Sequence, residues 1–91
     1  MRVLLHPVPL KYLDRLNADD RERIKVAFKG LEKEPPEGDI RPYAGNLGIF
    51  RLKTGRYRVL FEVKTDMIFV THIEPRGQAY TKKTRQRRGK K

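Results

Sequence analysis

A chain of 91 residues with no cysteine makes one domain with one modest core, and neither disulfides nor a thiolate metal site can staple it. Its net charge is +11, distributed as eight basic against eight acidic side chains in residues 1–39, seven against three in 40–80 and seven against none in 81–91. The excess collects in the C-terminal half, as on a chain that presents one basic face to a polyanion; a surface charged only for solubility would mix signs on both halves.

Arg2–His6 (RVLLH) reads as a short first strand that Pro7 and Pro9 end. The apolar run Met1–Leu5 is too short for a signal peptide, and a membrane span needs about 20 residues, so a cytoplasmic protein with no membrane partner is expected. Leu10, Leu13 and Leu16 then recur at helical spacing, with Pro9 suited to the first turn. Asn17 and Ala18 interrupt that helix, and Asp19 with Glu22 offers a capping-box-like start for a second one. Ile24, Ala27, Phe28 and Leu31 form one apolar stripe, Arg21, Arg23, Lys25, Lys29 and Lys33 occupy the opposite face, and Pro35-Pro36 stops the helix. The helix pair is scaffold.

Residues 37–47 form a loop rich in Gly and Pro. Strands at Ile49–Lys53, Arg56–Lys64 and Met67–Glu74 follow, with Thr54-Gly55 and Thr65-Asp66 as two-residue turns. The fold class is therefore α+β, a small antiparallel sheet packed on an N-terminal helix hairpin in the order β-α-α-β-β-β. In the last strand Ile68, Val70 and His72 compete with Met67, Phe69, Thr71 and Ile73 for the core, which suits a central strand. Residues 81–91 (TKKTRQRRGKK) hold no apolar side chain, so they form a basic tail expected to be disordered when free, beyond a domain spanning 1–80.

Side chains alternate between the faces of a strand, which puts Arg51 and Lys53 with Arg56 and Arg58 on the face away from the helices. With Thr54-Gly55 as the turn, Arg51 faces Arg58 and Lys53 faces Arg56. Like charges directly opposite one another cost a few tenths of a kcal/mol or more per pair. An edge hairpin made basic against aggregation would account for Lys53 or Arg56, but poorly for Arg51 facing Arg58 farther from the turn. A face that holds a phosphodiester accounts for all of them. His72 lies near this cluster, and Arg76 and Tyr80 stand just past the final strand. There Arg offers planar donors for phosphate, and Tyr a ring for stacking or a hydroxyl for proton transfer.

The segment FRLKTGRYRV at Phe50–Val59 and the ending PRGQAY at Pro75–Tyr80, in this order and spacing, resemble the RelE/ParE toxin superfamily, and RelE-like sequences of archaea in particular. The resemblance spans residues 1–80. It implies a toxin of a toxin–antitoxin pair, a ribosome-dependent endoribonuclease that cuts messenger RNA in the ribosomal A site. Arg51, Lys53, Arg58, Arg76 and Tyr80 match the catalytic positions of RelE-type toxins. The reaction implied is attack of the RNA 2′-hydroxyl on the adjacent phosphorus, with no metal and no cofactor. Arginine is a poor base and a good electrostatic clamp, so Arg58 and Arg76 would stabilise the transition state. Lys53, its charged form disfavoured by Arg51, Arg56 and Arg58, is the better candidate base, alone or with Tyr80. Arg56, Lys82, Lys83, Arg85, Arg87 and Arg88 would bind RNA. Partners implied are messenger RNA, the ribosome and its RNA, and an antitoxin whose acidic or amphipathic segment covers the cluster. The alternatives are a ParE-type inhibitor of DNA gyrase on the same fold, and a non-catalytic RNA- or ribosome-binding module.

Overall fold

The computed structural model describes residues 1–43 and 48–75. Strand β1 (Arg2–Leu5) is followed by helices α1 (Pro7–Arg15) and α2 (Ala18–Leu31). Strands β2 (Asp39–Pro42), β3 (Ile49–Thr54), β4 (Tyr57–Val63) and β5 (Met67–Pro75) complete the chain order. Helix α1 starts at prolines because its first N–H groups have no intrahelical acceptor to lose. His6 caps it, Nδ1 accepting from the Val8 N–H at 3.3 Å. The cap of α2 is Asn17, not Asp19: its Oδ1 accepts from the Asp20 N–H at 2.8 Å, which makes Ala18 the first helical residue. The two helices are locked at their joint by Arg21, whose guanidinium donates to the carbonyls of Leu13, Asp14 and Leu16 at 3.3, 3.3 and 2.6 Å. The Leu13 carbonyl also accepts from the Leu16 N–H at 3.2 Å, and Arg21 adds donors at the carbonyls of Asp14 and Leu16, where the helix ends.

The five strands form one sheet in the order β1-β5-β4-β3-β2, with β1 parallel to β5 and every other pair antiparallel. The α+β class and the helix pair packed on the sheet are as the sequence implies. Two details are not: β2 is a strand within the segment read as a loop, and the parallel β1 makes the sheet mixed. Proline and glycine in residues 37–47 hide β2, yet Pro42 is tolerable because β2 is an edge strand with one unpaired side.

The core lies between the helices and one sheet face. Leu13, Ile24, Phe28 and Leu31 meet Leu52, Tyr57, Val59, Phe61, Ile68, Val70 and Ile73 there. Each large side chain so buried contributes about 1.5–3 kcal/mol. The stripe on α2 is as expected. On α1, Leu10 is exposed while Leu13 is buried, because a spacing of three falls about 60° short of a full turn at each step.

The competition in β5 is settled by a bulge. Phe61 pairs with Val70 but Leu60 pairs with His72, leaving Thr71 as the extra residue. Ile68 and Val70 face the core before the bulge, and Ile73 regains it afterwards. Glu74 is thereby carried to the open face, opposite Arg58.

Candidate nucleic-acid interface

The β3–β4 hairpin closes on the pair Thr54–Tyr57, with Gly55 and Arg56 in the turn. Gly55 has φ +59°, the positive value a tight hairpin needs at its first central position. The turn is therefore one residue later than Thr54-Gly55. Moving a turn by one residue shifts the pairing by two, so every side chain stays on the face the sequence gives it while the partners change. Arg51 faces Leu60, not Arg58; Lys53 faces Arg58, not Arg56. Arg56 leaves the cluster for the turn, where it lines an open cleft with Asn17, Asp19, Asp20 and Arg23.

Arg51, Lys53 and Arg58 do share the open face, and the extra strand adds two neighbours that the loop reading missed: Asp39 opposite Lys53 and Arg41 opposite Arg51. The face is thus organised in two rows running across the strands. One is Asp39, Lys53, Arg58 and Glu74; the next is Arg41, Arg51, Leu60 and His72. In the first row two acids flank two bases. Arg58 is largely buried, its side chain 17% exposed, and donates to Glu74 Oε2 from Nε at 2.9 Å and also from Nη2. Lys53 is exposed. In the second row, the only acid contact among the described residues is a loose one between exposed side chains, Arg41 Nε to Asp39 Oδ1 at 3.8 Å. Arg51 Nη1 is buried and, among the described residues, has no hydrogen-bond partner. His72 is exposed, with Nδ1 3.2 Å from Thr71 Oγ1.

The turn end of the hairpin is tied to the helices. Tyr57 lies in the core and its hydroxyl donates to Asp20 Oδ2 at 2.8 Å, while its ring meets that of Tyr12 edge-on at 6.3 Å. Burial pushes the Tyr57 phenol above its ordinary value, and the Asp20 hydrogen bond adds to this. Burial likewise raises Tyr12, with the Glu74 and Asp20 carboxylates adding to it. These contacts hold the basic hairpin at a fixed angle to α2. Arg76, Tyr80, Lys82, Lys83, Arg85, Arg87 and Arg88 lie outside the described residues. None of the described helices is long and apolar enough to cross a membrane.

Residues 4–80 match the family described as the ParE toxin of type II toxin–antitoxin systems, parDE. Solved structures agree on the architecture. RelE in the RelE–RelB complex of Pyrococcus horikoshii OT3 superposes with a TM-score of 0.72 at 28% identity, over 85% of this chain and 96% of that one. The RelB–RelE complex of Methanococcus jannaschii gives 0.69 at 23% identity, over 87% and 96%. The isolated E. coli RelE toxin gives 0.70 at 18% identity, over 93% and 96%, a likeness of fold alone. Comparison with curated proteins gives no match. A profile match over most of the chain, on a sheet and helix pair shared with RelE structures, makes this chain a member of the RelE/ParE toxin family of type II toxin–antitoxin systems.

Proposed function

We propose that the protein is a ribosome-dependent endoribonuclease that cleaves messenger RNA through attack of the 2′-hydroxyl on the adjacent phosphorus, the 2′-proton passing to a base while the bond to the 5′-oxygen of the next nucleotide breaks and that oxygen takes up a proton. The observation that carries this reading is the gathering of Arg51, Lys53 and Arg58 on one open sheet face, away from the core. Two further arginine and tyrosine positions, Arg76 and Tyr80, follow β5 in the sequence. Lys53 is exposed directly across from Arg58, beside the proposed guanidinium clamp. Asp39 stands on its other side and Arg56 lies in the turn, so the crowding by arginines expected from the sequence is not what marks it; its role as proton acceptor is the one the RelE resemblance implies. Arg58, oriented by Glu74, would meet the negative charge that builds on the phosphoryl oxygens. Without a histidine pair to drive the reaction unaided, in-line orientation by the ribosome would supply much of the acceleration; positioning alone can contribute about 7–11 kcal/mol. The RelE proteins of P. horikoshii and M. jannaschii are found in complex with RelB, and we infer a cognate antitoxin for this chain, covering the basic face.

The test is primer extension on messenger RNA from a reconstituted translation reaction containing the purified protein, beside a naked-RNA control. Codon-phased cuts that require ribosomes are the expected result. A second reading is favoured by the family description itself, which is that of a ParE toxin: the same fold acting on DNA gyrase without catalysis. Translation with no new 5′ ends, together with inhibited supercoiling by gyrase, would establish it and remove the nuclease reading.

A further inference from the structure

We propose that the row Arg41, Arg51, Leu60 and His72 is a phosphate seat in its own right, and that Arg41 is the residue that completes it. The ligand class is the backbone of single-stranded RNA. The inference rests on the RNA-cleaving reading and extends it to a strand no motif marks.

Charge accounting across the sheet leads there. In the Lys53–Arg58 row Glu74 already engages Arg58, while Asp39, opposite Lys53 in register, makes its only contact with a base among the described residues loosely with Arg41, at 3.8 Å between exposed side chains. The neighbouring row places Arg41 directly across from Arg51, with Leu60 and then His72 beyond and no acid in register. Like charges face to face are unfavourable in the free protein, and so is a buried guanidinium nitrogen without an acceptor, as at Arg51 Nη1. One anion seated between the two arginines would relieve both.

Protection of the edge strand does not explain Arg41. Strand β2 is only four residues long and ends in Pro42, which already obstruct pairing with another chain, and Arg51 is not on an edge. Leu60 is buried although it lies on the open face outside the helix-side core, and it places no charge between Arg51 and His72. The two rows are two residues apart along the strands, about 6.5 Å, a separation suited to consecutive phosphates of an extended single strand. A phosphate in each row would lay the RNA along the strand direction.

The test uses the full chain and a fluorescent 2′-O-methyl oligoribonucleotide, uncleavable because the attacking hydroxyl is blocked. Binding is followed by anisotropy over a range of salt. Arg41→Gln should flatten the plot of log affinity against log salt by about 0.7, one phosphate contact on a single strand, and Arg41→Lys should restore it. Lys25→Gln, at an exposed position on α2, should leave the slope unchanged. The Arg41 side chain is 72% exposed, so its loss does not threaten folding. An unchanged slope in Arg41→Gln would overturn the seat, and ribosome-dependent cuts by the unaltered protein would leave the nuclease reading standing. A flattened slope with no cuts would keep the seat and remove the nuclease reading.

Discussion

Arg58 is held before any substrate arrives: two of its nitrogens donate to one oxygen of Glu74, which fixes the guanidinium plane on the open face. A group restrained in this way loses little freedom when charge develops beside it, which is where electrostatic catalysis gains most. Under the proposed reaction, Arg58→Ala should lower the cleavage rate by about a hundredfold or more while changing RNA affinity far less. Single-turnover cleavage on programmed ribosomes, measured beside anisotropy, separates the two effects. Lys53→Ala with an unaltered rate would remove Lys53 as the base. Tyr57 has a different role. Its phenol is raised by burial above the ordinary 10.0, so the folded chain holds this proton more tightly than the unfolded one. The stability this adds is complete below the ordinary value and is lost as pH rises through the raised folded value. Tyr57→Phe should cost about 1 kcal/mol at neutral pH through the lost Asp20 hydrogen bond, and should make urea midpoints fall less steeply above about pH 10. An equal alkaline loss in both proteins would show that Tyr57 does not govern it. At this scale the shared face of Arg51, Lys53 and Arg58 was legible, because alternation along a strand survives errors of pairing. Their partners were not: Glu74 reaches Arg58 only because Thr71 bulges, and no residue type in β5 announces that.

Helix α1 shows how much an element of nine residues depends on its ends. Isolated, it would be marginal, and its buried residues are only Pro9 and Leu13. Arg21 compensates by supplying donors to three carbonyls at its C-terminal turn. Arg21→Ala should therefore destabilise the fold by roughly 1–2 kcal/mol, more than Lys25→Ala on the same helix. Parallel urea titrations would check this, and equal midpoints would refute the joint. Arg21 read from sequence as one of several basic residues on a solvent face. Helical periodicity sorts residues by angle around one axis and does not see that a neighbouring helix ends within reach. The same limit hid β2. Four residues carrying a proline do not alternate long enough to signal a strand, and Asp39–Pro42 pairs because β3 offers an edge. Arg41, the residue this adds to the open face, was invisible for that reason alone. The β4–β5 turn, by contrast, was legible: Thr65-Asp66 sits where the Lys64 N–H meets the Met67 carbonyl at 2.8 Å.

The molecule as a whole separates its charge from its core. Residues 1–39 carry balanced charge and supply the helices, while the sheet beyond them bears the basic open face and residues 81–91 add seven bases and no acid. A polyanion approaching from far away responds to the sum of these charges, whereas a phosphate seated on the sheet responds to a few side chains in register. Salt dependence tells the two apart. Each base that displaces a counterion from single-stranded RNA adds about 0.7 to the slope of log affinity against log salt. A chain ending at Tyr80 should therefore lose up to about 5 from that slope if all the tail bases engage, and retain the smaller slope owed to the sheet. Its urea midpoint should match that of the full chain, because the core is drawn from Leu13 to Ile73 and the removed residues include no apolar side chain. Under the proposed reaction, ribosome-dependent cleavage should persist at low salt and fail earlier as salt rises, since the proposed seats on the sheet remain while the tail's long-range attraction is gone. A slope that falls by less than one on truncation would mean that the tail does not meet phosphate, and that the sheet face alone carries the affinity for RNA.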